Sequence, residues 1–374
     1  MNILLIPDSF KGSLSSSRLC AILKAVAEEV MPDAVVTALP AADGGEGTLE
    51  MIRRAVGGAY VVHNVTGPCG QPVSARYLSA GDTAYVEMAE AAGLHHRLPG
   101  FNAANTTTFG VGQLCGEALS AGHRRIVLTL GGSVTADAGC GMAAALGVRF
   151  IAPNGRPFIP TGNSLSAIRH VTLNPFFFQK NVRIEALCDV TNPLCGPNGA
   201  ARVFGPQKGA TPEDVEAIEA GMRHLAGTFA QAKGPKLADM PCAGAAGGCG
   251  AGVHAFLNGK LLSGSAALLD LVNFSDLAAK ADVIVTGEGM LDNQTAGGKL
   301  VSEVARRAGG RPVIVLAGGI APDTDLQALH DLGVTAVLPL TTRPMTAGEA
   351  MSESAANVRR VAGELFRLVK AIKG

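Results

Sequence analysis

MNILLIPDSFKGS, residues 1–13, carries the pattern on which the fold turns. An apolar run, Ile3 to Ile6, is stopped by Pro7 and followed at once by Asp8, Ser9, Lys11, Gly12 and Ser13. A short run that is apolar on both alternating sets of side chains predicts a parallel strand covered on both faces. In open α/β sheets, ligands sit just beyond the carboxyl ends of such strands. An acid, two hydroxyls and an ammonium placed there, with a glycine that lets a ligand approach the backbone, suit a phosphate and its metal. A βα turn with a serine cap for the next helix is the competing reading of the same residues.

The same grammar recurs outward from this stretch. Leu19, Ile22, Leu23, Val26 and Val30 share one face of a predicted helix over 15–30, which Pro32 stops. A second strand, 35–39, runs into Pro40 and then Ala41-Ala42-Asp43-Gly44-Gly45-Glu46-Gly47-Thr48. Near the far end, a strand over 283–286 leads to Gly287-Glu288-Gly289-Met290-Leu291-Asp292, and one over 313–316 to Ala317-Gly318-Gly319. Helices over 296–307, 323–332 and 347–372 and a strand over 336–338 complete the alternation. Five parallel strands alternating with helices match a flavodoxin-like doubly wound sheet. From about residue 59 the texture changes: 60–66, 73–78 and 84–88 alternate apolar and polar residues, as antiparallel strands with one wet face do. A helix over 106–121, buried strands over 125–130 and 183–188 and a helix over 212–230 follow. The expected architecture is therefore a discontinuous domain of residues 1–64 plus 276–374, interrupted by an α/β domain with a mixed sheet over 65–275. The active site is expected in the cleft between them.

Hydrophobic residues make up 47% of the 374 positions and charged ones 17%, which predicts a soluble protein with a large interior. Aromatics are only 4%, with no Trp, so base-stacking platforms are not expected. Lys+Arg 31 balance Asp+Glu 31, leaving no electrostatic footprint for nucleic acid or an anionic membrane. Eight Cys without a CxxC fit reduced thiols. No signal peptide or membrane-spanning run is read, and the expected location is the cytoplasm.

The rim of the discontinuous domain would gather the loops at 8–13, 43–48, 288–292 and 318–319. Their carboxylates, without His or Cys, suit Mg²⁺ and phosphate oxygens better than zinc. Asp43 with Glu46 also reads as a capping box, and Glu288 with Asp292 as a polar turn. In the inserted domain, Gly131-Gly132-Ser133 at a helix start would offer backbone N–H groups to an anion. Asp189, directly after a strand, could accept a hydroxyl proton; an Asx-turn before Pro193 is its plainer reading. His95-His96-Arg97 read as surface residues. Asn293 to Lys299 lacks the first glycine and the Ser/Thr of a P-loop, and Gly248, Gly250 and Gly252 lack the strand and spacing of a dinucleotide fingerprint.

Six stretches, taken in order, closely resemble the bacterial glycerate kinase family of the glycerate 2-kinase type. They are PDSFKGS at 7–13, ADGGEGT at 42–48, the glycine-rich region at 131–141, CDVTNPLCGP at 188–197, FGPQKGA at 204–210 and TGEGMLDNQTAGGK at 286–299. The resemblance implies a flavodoxin-like domain with an inserted restriction-endonuclease-like domain, and ATP- and Mg²⁺-dependent phosphorylation of D-glycerate to 2-phospho-D-glycerate. Under it, Asp189 and Lys11 are the catalytic candidates. Ser9, Ser13, Gly44, Gly45, Gly131, Gly132, Ser133, Asn192, Lys208 and Lys299 are the substrate- and phosphate-binding candidates, and Asp43, Glu46, Glu288 and Asp292 would hold the metal. Lys208, Lys299 or Arg202 would meet the glycerate carboxylate, a choice left open, as is a homo-oligomer. A Rossmann-like oxidoreductase acting on a small hydroxy acid and a non-catalytic carboxylate-binding protein are the alternatives.

Overall fold

The computed structural model describes residues 1–373 except 11, 42–44, 46, 180, 232, 233, 235 and 294. The chain opens with β1 (Asn2–Pro7) and β2 (Val35–Ala38). Its middle supplies β3 (Ala59–Thr66), β4 (Pro72–Ala80), β5 (Thr83–Glu87), β6 (Arg125–Thr129), β7 (Arg149–Ile151), β8 (Pro157–Phe158), β9 (His170–Thr172), β10 (Arg183–Cys188) and β11 (Lys260–Ser263). It closes with β12 (Val283–Leu291), β13 (Val313–Ile320) and β14 (Val334–Pro339).

Two compact units form: Met1–Asp43 with Ser265–Gly374, and Gly44–Gly264. Both divisions fall earlier than the expected 64/65 and 275/276, for reasons of packing. The helix Thr48–Val56 is tied to the middle unit, because the Leu49 N–H donates to Glu87 Oε2 at 3.0 Å and the Tyr60 hydroxyl to Glu50 at 2.9 Å. Leu269, Phe274 and Ala278 instead lie in the core of the discontinuous unit.

In that unit the sheet order is β14-β13-β12-β1-β2, with every pair parallel. Counted within the unit, this is the 2-1-3-4-5 order of flavodoxin-type sheets, with the switch point between β1 and β12. Ile3 and Leu5 face Leu19 and Leu23 of the helix Ser16–Val30 and Val358 and Phe366 of the helix Ser354–Lys373. Leu4 and Ile6 face the other way, toward Phe274, Val301 and Val304. Each such side chain, fully buried, contributes about 1.5–3 kcal/mol. The first helix starts where it does because the Ser15 side chain accepts the Arg18 N–H. The closing helical stretch is two helices, Ala347–Ser352 and Ser354–Lys373.

The expected end of β12 at residue 286 is corrected. The strand continues through Gly287-Glu288-Gly289-Met290-Leu291, and β13 runs with it to Ile320, pairing Met290 with Gly319 and Leu291 with Ile320. Glu288 and Gly318-Gly319 are therefore strand residues. A Cβ on Gly318 would lie 2.5 Å from Gly289 O, so close approach of the two backbones requires the glycine.

The continuous unit carries a six-stranded sheet, β11-β10-β6-β5-β4-β3, parallel from β5 to β11 and antiparallel through β3, β4 and β5. The antiparallel strand β3 leaves residues exposed, as its alternation predicted. A small antiparallel sheet, β8-β7-β9, lies apart from it in the topology. Glycine at 247–252 serves backbone packing. The helix Ala245–Leu257 is kinked at Ala246, Gly247 and Gly248. A Cβ on Gly247 would lie 2.0 Å from Thr135 O, and one on Gly252 2.5 Å from Ala138 O. That contact, and not a dinucleotide, accounts for the glycine run. The eight cysteines are free, and among the described residues no helix is long and apolar enough to cross a membrane.

Gly247→Ala puts a side chain onto a carbonyl at a φ of +68° and is expected to destabilise by about 1–3 kcal/mol or more. Gly227→Ala, in a helix with open space at the Cβ, is expected to stabilise by up to about 1 kcal/mol. Urea unfolding midpoints of the two variants check both signs.

Candidate functional site

At the switch point, β1 ends at Pro7 and the Asp8 N–H donates to Gly287 O at 2.9 Å, so the chain leaves the sheet still bonded to β12. Asp8 is 7% exposed, and its Oδ1 accepts the Ser9 N–H at 2.6 Å. Phe10 turns inward and bridges to Leu14. The Ser13 hydroxyl donates to Phe10 O at 3.1 Å. Lys11, Asp43, Gly44 and Glu46 lie outside the described residues. Gly45 O accepts both the N–H (3.2 Å) and the hydroxyl (2.6 Å) of Thr48 at the start of the following helix.

Beside this strand end, β12 presents a compact polar cluster. Lys299, the N-cap of the helix Leu300–Arg307, places its Nζ 3.0 Å from Glu288 Oε1 and 3.4 Å from Asp292 Oδ1. Thr295, fully buried, donates its hydroxyl to Glu288 Oε2 at 3.1 Å and accepts the Asp292 N–H at 3.1 Å. Burial pushes the Glu288 carboxyl up, against the pull of Lys299 and Thr295. Burial also works against the Lys299 ammonium, but the two carboxylates outweigh it and hold it above the ordinary lysine value. Two carboxylates thus share one ammonium, leaving a net negative, oxygen-rich group at the rim. Among the described residues no three His, Cys, Asp or Glu side chains gather as a metal cluster. Mg²⁺ is commonly held by one or two carboxylates plus substrate phosphates, so the hard oxygens of Glu288 and Asp292 fit it. Thr295 is the member the sequence reading passed over, although it stands inside the quoted motif.

In the continuous unit, Asp189 directly follows β10 and is half-buried. The Ser263 hydroxyl approaches its Oδ1 at 3.5 Å, and a Cβ on Gly264 would come within 3.3 Å of both carboxylate oxygens. Asn192 donates its Nδ2 to Asn198 O at 2.8 Å. Gly131-Gly132-Ser133 does not open a helix: the helix begins at Cys140, and Gly132 and Ser133 are instead tied to the 93–94 segment. The reason is Asp137. Its buried carboxylate accepts the Gly139 and Gly141 N–H groups and, across the loop, the N–H and hydroxyl of Thr108. Burial pushes the Asp137 carboxyl up, and these four bonds oppose it.

Lys208 is likewise not a surface cation. It is 4% exposed, and its Nζ donates to Ser133 Oγ at 3.0 Å and Thr135 O at 2.7 Å. Arg202 lies in a two-pronged pair with Glu216, at 2.5 and 2.9 Å. Each cation expected to meet the substrate carboxylate, Lys208, Lys299 or Arg202, therefore has partners within its own unit.

The family model described as the glycerate kinase family matches residues 3–370. The chain belongs to the glycerate kinase family. It is 40% identical to a glycerate kinase of Bacillus cereus over 99% of this chain and 98% of that protein. It is 37% identical to the glycerate 2-kinase of Escherichia coli K12 over 96% of each. A crystal structure of a candidate glycerate kinase 2 from Salmonella typhimurium LT2 superposes with a TM-score of 0.78 at 37% identity, covering 100% of this chain and 99% of that one. Membership in this family agrees with the resemblance read from the six motifs.

Burial holds the Lys208 ammonium down to about 8, against the attraction of Asp137. The unfolded chain, with an ordinary lysine near ~10.4, binds more protons between these values, so stability rises with pH there. Relative to a Lys208→Met variant of this glycerate kinase family member, the wild type is expected to gain about 2 kcal/mol between pH 7.5 and 10. Urea unfolding of both proteins across that range measures the difference.

Proposed function

We propose that the protein is an ATP-dependent kinase that phosphorylates D-glycerate at its 2-hydroxyl, giving 2-phospho-D-glycerate and ADP. The observation that carries this reading is full-length similarity to relatives named glycerate kinase, one of them a glycerate 2-kinase. The rim chemistry supports it: oxygen donors at the carboxyl end of β12, and a half-buried carboxylate, Asp189, at the carboxyl end of β10.

In this reading both units contribute residues. Asp189 accepts the proton of the substrate hydroxyl as that oxygen bonds to the γ-phosphorus. The bond to the β–γ bridging oxygen breaks, and ADP leaves with its electron pair. Lys11 and Ser9 stabilise charge on the transferring group. Ser13, whose hydroxyl bonds Phe10 O here, would join them by turning that proton to the phosphate. Glu288 and Asp292, with Asp43 and Glu46, are the residues that would hold Mg²⁺, which when bound neutralises phosphate oxygens. Gly264 matters to the base by having no side chain, because a Cβ there would press on both Asp189 oxygens.

Release of ADP that requires D-glycerate and is abolished by EDTA, with the phosphoryl position of the product read by ³¹P and ¹³C NMR, tests the reading. Release without D-glycerate, or a 3-phosphate product, contradicts it. Asp189→Asn is expected to lower kcat on the order of 10²-fold or more. Near wild-type turnover in that variant removes Asp189 from the role of base.

A further inference from the structure

Of the guanidiniums in the continuous unit that have no side-chain partner among the described residues, Arg97, Arg149, Arg156 and Arg169, it is Arg97 that borders a cavity. Arg97 makes no hydrogen bond, ion pair or ring contact through its side chain among the described residues, whereas Arg76, Arg125, Arg202 and Arg223 in the same unit each pair with a glutamate. Arg97 was read from sequence as one of three surface residues, and it is exposed. Its surroundings are not those of a free surface loop.

The segment bearing it is fastened on several sides. The Leu94 N–H donates to Gly132 O at 3.0 Å, and Gly93 bridges to Ser133. The His96 ring bonds to Glu90 O at 2.9 Å, Gln71 Nε2 donates to His96 O at 2.8 Å, and the Leu98 N–H donates to Cys69 Sγ at 3.4 Å. Arg97 Nη1 lies only 2.5 Å from where a Cβ on Gly209 would stand, so the absence of a side chain at 209 makes room for the guanidinium. Gly209 directly follows Lys208, whose ammonium fixes Ser133 and Thr135. Arg97 and Gly209 border an open cavity of about 470 Å³, shared with Phe101 and Asn102. Asn102 is already engaged, donating to Asp214 and accepting the Ala104 N–H. Among the side chains that border the cavity, the unmet polar group is therefore Arg97, a fork of donors suited to two oxygens of a carboxylate or phosphate.

We propose that Arg97 binds the oxyanion of a substrate in this cavity, either the carboxylate of glycerate or a phosphate of the nucleotide. The proposal rests on the kinase reading above, and its test separates the two. Arg97→Ala is expected to raise the KM for one substrate about 10-fold or more, the cost of a lost charge-assisted pair, with a smaller change in kcat. The other KM and the Tm stay near wild type, and Arg97→Lys recovers part of the loss. A change in the KM for D-glycerate identifies the carboxylate as the ligand, and a change in that for ATP identifies the phosphate. Unchanged values for both substrates overturn the proposal. So does a rise in both together with a lowered Tm, which makes Arg97 part of the loop architecture. A wild type that releases no ADP with D-glycerate sinks the kinase reading alone. Arg97 is then judged by whether D-glycerate or inorganic phosphate raises the Tm of the wild type but not of Arg97→Ala; equal shifts, or none in either protein, overturn it.

Discussion

The discontinuous unit depends on the pairing of β1 with β12, in register from Ile3↔Val283 to Pro7↔Gly287. β1 is an interior strand, bonded to β2 on its other edge, and both its faces are apolar. A strand of this kind has no wet side, so without its neighbours it exposes side chains and backbone groups alike. The same register brings chemistry together. Pro7 opposite Gly287 sets Asp8 and Glu288 at adjoining strand positions, where the order of strands reverses and ligands of such sheets are taken up.

The continuous unit spends its buried charges on architecture. Asp137 draws the starts of two helices together through four hydrogen bonds, and Lys208 holds the Ser133 hydroxyl and the Thr135 carbonyl. Glu219 does similar work, accepting the Gly196 N–H at 2.9 Å while paired with Arg223. An isolated buried charge is costly, and each of these has partners that offset the cost. Glycines finish the packing where one backbone lies on another. Asp189, the base of the proposed reaction, is less enclosed than these.

Much of the fold was legible because it rests on local signals. Ile3–Ile6 and the strand over 183–188 are apolar runs with clear stops, and the alternation over 60–66 and 73–78 marks antiparallel strands with exposed positions. The strand read the same way over 84–88 is instead buried throughout, because β4 and β6 flank it. What failed was decided by distant partners. Gly287-Glu288-Gly289 has little strand propensity of its own, and its pairing with β13 supplies what the residues lack. Gly131-Gly132-Ser133 looked like a helix start because glycines before a helical run usually are. The carboxylate six residues after Gly131 claims the true start instead, a fact of burial that no spacing reveals. Lys208 read as a ligand cation because lysines are seldom enclosed. Arg97 was passed over because its place beside a cavity, with Gly209 making room for the guanidinium, is a matter of folded geometry. The acids at Glu288 and Asp292 were found from their place after a strand, although their shared ammonium was not.

The place of β1 in the sheet sets how long it waits for a partner during synthesis. Residues 3–6 emerge well before their partner on one edge, which stands 280 residues further on. At about 5–20 residues per second, the delay is roughly 15–60 s. The 44–264 stretch is contiguous and holds its own core, so it is able to finish during that interval. A strand apolar on both faces thus waits through most of synthesis for the neighbour that completes its setting.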